Sequence, residues 1–115
     1  MILLAAALVA LPASGLGAPY PHARIIAAPE RKDCYVRYRL STDDPIASVA
    51  AFYRAEAARA GVPLFHDSAA KFADYRLLVF IAQPKFLNVI VDRQEGHTKV
   101  SVSYKPGTAS TCSAR

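Results

Sequence analysis

Residues 43–61, DDPIASVAAFYRAEAARAG, contain the start, the apolar stripe and the end of one helix. Asp44 is a favourable N-cap residue, and Pro45 suits the first helical position, where no amide hydrogen is required. Gly61 supplies a left-handed C-terminal stop, and Pro63 prevents continuation. Between these ends, apolar residues recur at spacings of three and four: Ile46, Val49, Ala50, Tyr53, Ala57 and Ala60, with Phe52 on the flank. The segment predicts an amphipathic helix that needs an apolar surface to lie on.

The periodicity on either side of this helix is that of β-strands. Residues 34–40 alternate, so that Cys34, Val36, Tyr38 and Leu40 share one face, and Tyr35, Arg37 and Arg39 share the other. Residues 62–66, 75–82, 86–92 and 98–104 read as four further strands, the middle two forming a hairpin. This order predicts an α+β fold, with one helix across an antiparallel sheet of about five strands in the order 2-3-4-5-1. The helix should cover the sheet face that carries Val36, Tyr38, Val100 and Val102.

Residues 75–82 and 86–92 are apolar on both sides, which indicates that both faces of the sheet are buried. One helix covers only one face. We therefore expect the N-terminal arm, with Tyr20, Ile25 and Ile26, to cover the second face, and a ligand or another chain is the alternative.

The leading residues predict export. Residues 1–18 carry no charge, and the apolar run 2–11 is followed by Pro12 and small residues, as in a secretory signal peptide cut near residues 15–18 or a few residues earlier. An uncleaved membrane anchor is less favoured, because a span needs about 20 apolar residues. Residues 19–33 then form an extended arm, in which residues 24–27 could form a short strand, and residues 34–115 form a single α+β domain. The protein would be periplasmic or secreted.

Cys34 and Cys112 are the only two cysteines. In an oxidising compartment such a pair most simply forms one disulfide. It would close a loop of about 80 residues and contribute about 4–5 kcal/mol in the chain-entropy model. A reactive or metal-binding thiol is the alternative, but the pair lacks the close spacing of such sites.

Four short stretches occur in order: Tyr20-Pro21-His22-Ala23, Ser41-Thr42-Asp43-Asp44, Val49-Ala50-Ala51-Phe52-Tyr53 and Gly61-Val62. They resemble a pattern found in small, uncharacterised bacterial envelope domains of the periplasmic or lipoprotein type. Those domains have a Tyr-Pro-Gly-Ala-like stretch, a Ser/Thr-x-Asp turn, and a helix with Val-x-x-Phe-Tyr that ends in Gly-Trp. The chain departs from this pattern at His22 and Val62. The resemblance implies an exported α+β domain and brings no catalytic residues with it.

The polar residues form no recognisable catalytic or metal-binding pattern. His22, His66 and His97 lie far apart without metal-ligand spacing. An enzyme would need His66 to converge with Asp67 or Asp74, yet adjacent residues rarely direct their side chains to one point. We therefore predict no metal, no cofactor and no enzymatic activity.

The net charge of +5 is the main functional indication. Tyr35, Arg37 and Arg39 predict a binding row on one strand, which Arg76 could join from another strand. Such a row can bind nucleic acid, but export favours an envelope protein or an anionic envelope polymer, and solvated charges are the alternative.

The prediction is an exported, non-enzymatic binding domain of the bacterial envelope, with a homodimer through an apolar sheet face also allowed. The alternative function is a carrier of small apolar ligands, with a cup between the sheet and helix residues Ile46, Val49, Phe52 and Tyr53.

Overall fold

The computed structural model describes residues 15–68 and 74–107. Within these ranges the elements are β1 (Arg24–Lys32), β2 (Tyr35–Thr42), α1 (Ile46–Arg59), β3 (Leu64–Asp67), β4 (Tyr75–Ala82), β5 (Lys85–Gln94) and β6 (His97–Lys105). The strands form one sheet in the order β1-β2-β6-β5-β4-β3, with antiparallel neighbours throughout. The helix lies on one face of this sheet, nearest β4 and β5.

The predicted fold is wrong in the number of strands and in the strand that forms one edge of the sheet. The arm expected over residues 19–33 is not merely extended, because it contains β1, which pairs with β2 from Lys32↔Tyr35 to Arg24↔Ser41. The chain is therefore mostly β, with six strands in the described ranges, and β2 lies inside the sheet between β1 and β6. The five strands that were expected follow one another as β3-β4-β5-β6-β2.

Pro29 explains why the sequence predicts at most a short strand at residues 24–27 and not the whole of β1. Proline lacks an amide hydrogen, so its presence argues against a strand unless the strand lies at an edge. β1 does lie at the edge, and its pairing with β2 shifts register between Ala27 and Glu30, the interval that contains the proline.

The predicted disulfide pairs Cys34 with Cys112, which lies outside the described residues, and within residues 15–68 and 74–107 no second cysteine lies at disulfide distance from Cys34. Cys34 itself is not a free thiol. It lies in the turn between β1 and β2 and not on the inward face of a strand, where we expected it.

The C-terminal end of α1 is the one predicted. Gly61 has a φ of 77°, the left-handed conformation that glycine adopts without strain. Its amide donates to the carbonyl of Ala58 at 3.1 Å, and the amide of Val62 donates to the carbonyl of Ala57 at 2.9 Å. These two bonds define a Schellman motif, and the buried Val62 provides its hydrophobic contact.

The N-terminal end of α1 differs from the prediction. Pro45 occupies the N-cap position, and no side chain caps the helix. Asp44 is not the cap, because its carboxylate instead accepts a hydrogen bond from the Tyr20 hydroxyl and contacts the ring of His22 at 3.3 Å. The aspartate thus joins the start of the helix to the N-terminal segment.

The core lies between α1 and the sheet. As predicted, the helix buries Val49, Ala50, Tyr53 and Ala57, and the sheet face beneath it buries Val36, Tyr38, Val100 and Val102. Leu78 and Phe80 of β4 and Leu87, Val89 and Val91 of β5 complete this layer. Val49 and Tyr53, two of the helix residues expected to line a cup for an apolar ligand, are fully buried.

Residues 15–20, here called the N-terminal segment, pack on the same sheet face as α1. Ala18 is fully buried, and a Cβ on Gly17 would overlap the ring of Tyr104. The Tyr38 hydroxyl lies 3.1 and 3.2 Å from the carbonyl oxygens of Gly17 and Ala18. The folded domain therefore includes residues 15–18, which were predicted to be the end of a signal peptide.

The arm does not cover the second sheet face, so this expectation is wrong. Tyr20 is buried on the helix side, where its amide donates to the Tyr53 hydroxyl at 3.1 Å. Ile25 and Ile26 lie on β1 at the sheet edge and are 50% and 39% exposed. Residues 1–14 of the predicted signal peptide lie outside the described residues. Within the described ranges, no helix is long and apolar enough to cross a membrane.

Candidate functional site

The sheet face opposite α1, here called the open face, carries the polar row predicted from the sequence. Strand alternation exposes Tyr35, Arg37 and Arg39 of β2 on this face, because Val36, Tyr38 and Leu40 point into the core. The neighbouring strands add Lys99, Ser101, Ser103 and Lys105 from β6, Phe86, Asn88 and Ile90 from β5, and Leu77, Val79 and Ile81 from β4. The open face is thus basic and polar over β2 and β6, and apolar over β4 and β5.

Strand register sets the neighbours of each arginine. Arg37 lies between Glu30 of β1 and Ser103 of β6, and Arg39 lies between Ala27 and Ser101. On the far side of β6, the two serines face Asn88 and Ile90 of β5. Each arginine therefore lies in a row of paired residues that runs across the sheet from β1 to β5 and includes one serine of β6.

These rows form a groove of about 420 Å³, within the usual range of ligand sites. The serines are small, so the floor over β6 is low, while the arginines and the β5 side chains rise on either side. The side chains that line the groove are Ala27, Ala28 and Glu30 of β1, Arg37 and Arg39 of β2, Ser101 and Ser103 of β6, and Asn88 and Ile90 of β5.

The charge of the groove is only weakly neutralised. Arg37 approaches Glu30 at 3.6 Å, but both side chains are more than half exposed, and such surface pairs contribute at most about 1 kcal/mol. Arg39 faces Ala27 and makes no salt bridge among the residues that the structure describes. Both guanidinium groups can therefore accept an anionic partner.

An aromatic pair lies beside the basic rows. The rings of Tyr35 and Phe86 are 5.3 Å apart and tilted by 50°, and Lys105 pairs with Phe86 on the adjacent strand. Tyr35 is 44% exposed, so one ring of the pair can contact a ligand that extends beyond the groove.

Arg76 does not join Tyr35, Arg37 and Arg39. Its side chain lies on the helix side of the sheet, where Nε and Nη2 donate to the Asp67 carboxylate at 3.0 and 2.9 Å. These bonds raise the pKa of Arg76 and hold its charge within the protein. Arg54 of α1 donates to the same carboxylate at 2.9 Å. Arg76 is thus part of a structural cluster that ties β3 and β4 to the helix.

The side chains of His66 and Asp67 do not converge. His66 pairs with Val79 and Asp67 with Leu78, so the two side chains lie on opposite faces of the sheet. Asp67 is engaged by the two arginines on the helix side. Within the described ranges, no three His, Cys, Asp or Glu side chains are grouped so as to hold a metal ion.

Sequence reasoning missed Asn88 as part of the site, although a signal existed. Asn88 is the single polar residue in the apolar run FLNVIV, and such a residue in a strand is expected on the more polar face. Alternation along residues 98–104 also puts Ser101 and Ser103 on the face opposite Val100 and Val102, but the predicted binding row did not include these serines.

The chain matches no protein-family model, and no curated protein or solved structure matches it. The resemblance to small bacterial envelope domains stays a prediction.

Proposed function

We propose that the chain is a non-enzymatic binding domain of the bacterial envelope that holds an anionic polymer in the groove of its open face. One observation carries this proposal. Arg37 and Arg39 line a groove floored by the Ser101 and Ser103 hydroxyls, and Glu30 is the one carboxylate among the described residues that line it.

The chemistry of the groove suits a repeating anion. A guanidinium group donates two parallel hydrogen bonds to a carboxylate or phosphate, which gives both strength and orientation. Arg37 and Arg39 are two residues apart on one strand, so their side chains start about 7 Å from each other. The serine hydroxyls and the Asn88 amide can bond to neutral oxygen atoms between the charges, and Ile90 offers an apolar contact.

Two sequence features support an envelope polymer over nucleic acid. The uncharged leading residues favour export, and the resemblance implies an envelope location. The net charge of +5 attracts any polyanion, so the compartment decides which polyanion the protein meets.

The proposal is tested by titrating the protein with a carboxylate-bearing polysaccharide, a phosphate-bearing polymer and a neutral polysaccharide, each followed by calorimetry. Each charge-assisted hydrogen bond contributes about 1.5–3 kcal/mol, so Arg37→Ser/Arg39→Ser should weaken binding of the preferred anionic polymer by at least about tenfold. The neutral polysaccharide should not bind.

The matched control is Arg31→Ser/Lys85→Ser, which removes the same charge from residues paired opposite Val36 and Ala82 and outside the groove. The control should bind as the unmodified chain does. Equal weakening in both variants would mean non-specific attraction and would overturn the groove as the site. A homodimer dissociated by Ile90→Lys, with no polymer binding, would identify the open face as a self-interface and overturn the proposal.

A further inference from the structure

Glu56 is a charged residue on the buried side of α1. Its side chain is only 4% exposed, and it lies beside Ala57 in the stripe that faces the core. Glutamate is rarely so buried unless its charge is paired. Both carboxylate oxygens therefore need a hydrogen-bond donor or a cation close by.

The two carboxylate oxygens of Glu56 have different partners. Oε2 accepts from the guanidinium of Arg59, whose side chain is 64% exposed and remains in contact with solvent. Oε1 accepts from the backbone nitrogen of Gly15 at 2.6 Å. A hydrogen bond to an ionised carboxylate is charge-assisted and shorter than the usual 2.9–3.0 Å, whether its donor is an amide or an ammonium group.

The residues that follow Gly15 are part of the core. The amide of Ala18 donates to the carbonyl of Gly15 at 3.1 Å, Leu16 packs against the buried cluster, and Gly17 lies against the Tyr104 ring. Cleavage after Ala18 would remove these contacts and leave Oε1 of Glu56 without its donor. Cleavage just before Gly15 would keep all of them and add a positive charge at the nitrogen that Glu56 already contacts.

We propose that an endopeptidase processes the chain immediately before Gly15 and that the new α-ammonium group of Gly15 forms a buried ion pair with Glu56. In the cleavage step, water adds across the peptide bond that precedes Gly15. The carbonyl carbon takes the hydroxyl and becomes a carboxylate, and the nitrogen keeps its hydrogen and takes two protons to become an ammonium group. Processing and folding are thereby linked, because the new terminus completes the core.

The first test is the identity of the mature terminus. The full chain is expressed in a Gram-negative host, and the intact mass of the soluble product is measured. The expected product begins at Gly15. A product that begins at Met1, at Pro19 or at any other residue would overturn the proposal.

The second test separates the ammonium group from a peptide amide. An α-amino group has a pKa of about 8 when unfolded, and pairing with Glu56 raises the folded pKa. The ion pair therefore stabilises the fold below about pH 8, and this contribution is lost as the pH rises through the folded value. A folded pKa raised by one unit corresponds to about a tenfold larger unfolding constant at pH 9.5 than at pH 7.

Two variants complete this test, each compared with the processed chain by urea unfolding between pH 7 and 9.5. Glu56→Gln should be less stable at pH 7 and lose the alkaline drop, while the exposed-site control Glu30→Gln should keep it. If Glu56→Gln does not fold, a chain with one additional residue before Gly15 replaces it, since an amide there cannot titrate. The same alkaline drop in the chain with the added residue or in Glu56→Gln would overturn the ion pair.

Discussion

At the scale of single residues, the Tyr38 hydroxyl joins three parts of the chain. It lies 3.0 Å from the Tyr53 hydroxyl of α1 and within 3.2 Å of two carbonyl oxygens in the N-terminal segment. An unpaired hydroxyl at this depth would cost about 1–3 kcal/mol. The tyrosine therefore specifies how helix, sheet and N-terminal segment fit together, which a phenylalanine of similar volume would not.

Gly17→Ala should strongly destabilise the protein, because the new methyl group would overlap the Tyr104 ring at a residue with a φ of 88°. We expect a loss of at least about 3 kcal/mol in the free energy of unfolding, measured with urea. Gly61→Ala is the control, since its φ of 77° is similar and no atom lies within 4 Å of the added carbon. It should lose only about 1 kcal/mol. Equal losses would show that backbone strain, and not contact with Tyr104, sets the cost.

The binding row illustrates which site residues a sequence can reveal. Tyr35, Arg37 and Arg39 alternate with residues that are plainly apolar, so the face to which they belong is unambiguous. Arg76 shares its parity with Leu78 and Phe80, but the intervening residues of β4 are apolar too. Alternation therefore does not predict on which face of the sheet Arg76 lies. Only its ion pair with Asp67, which depends on tertiary structure, places it on the helix side.

At the scale of the elements, β3 is a four-residue edge strand anchored by one carboxylate. Asp67→Asn should weaken this anchor, because Arg54 and Arg76 both lose an ionic acceptor. We expect a loss of about 1–3 kcal/mol and faster hydrogen exchange at the amides that join β3 to β4. Asp92→Asn, at a carboxylate that accepts a hydrogen bond from the Gln94 amide within β5, is the control and should change stability by less than about 0.5 kcal/mol. Unchanged exchange in β3 would contradict the anchoring role.

The elements also differ in how well the sequence predicts them. The helix end at Gly61 and the strands β4, β5 and β6 follow from local signals: a left-handed glycine and regular alternation between turns. β1 does not, because Pro29 and the charged residues after it resemble a loop, and only pairing with β2 makes them a strand. The role of the N-terminal segment was missed for a similar reason. Its small residues are typical of a signal-peptide cleavage region, but small residues are also what a close contact with the Tyr104 ring requires.

At the scale of the whole molecule, the buried tyrosines make stability depend on alkaline pH. Burial raises the pKa of Tyr53 to about 12 and raises that of Tyr38 well above its ordinary value, whereas both ionise near 10 when unfolded. Their contribution is therefore fully present below about pH 10 and is lost as the pH rises above it.

At about pH 11 the protein should be less stable than at about pH 10 by about 2 kcal/mol from these two groups together. The measurement is urea unfolding at each pH, with tyrosinate absorbance recorded in parallel. Tyr53→Phe removes one of the two groups and should reduce this pH dependence by about half. An unchanged dependence in that variant would assign the alkaline loss to other groups.

The strand order also constrains when the protein can fold. β2 has no sheet partner other than β1 until β6 is present, and β6 follows the other five strands of the described ranges. A two-stranded hairpin is at best marginally stable in water. The inner position of β2 therefore depends on β6, and the β1-β2 hairpin can join the rest of the sheet only after the chain through Lys105 has been made.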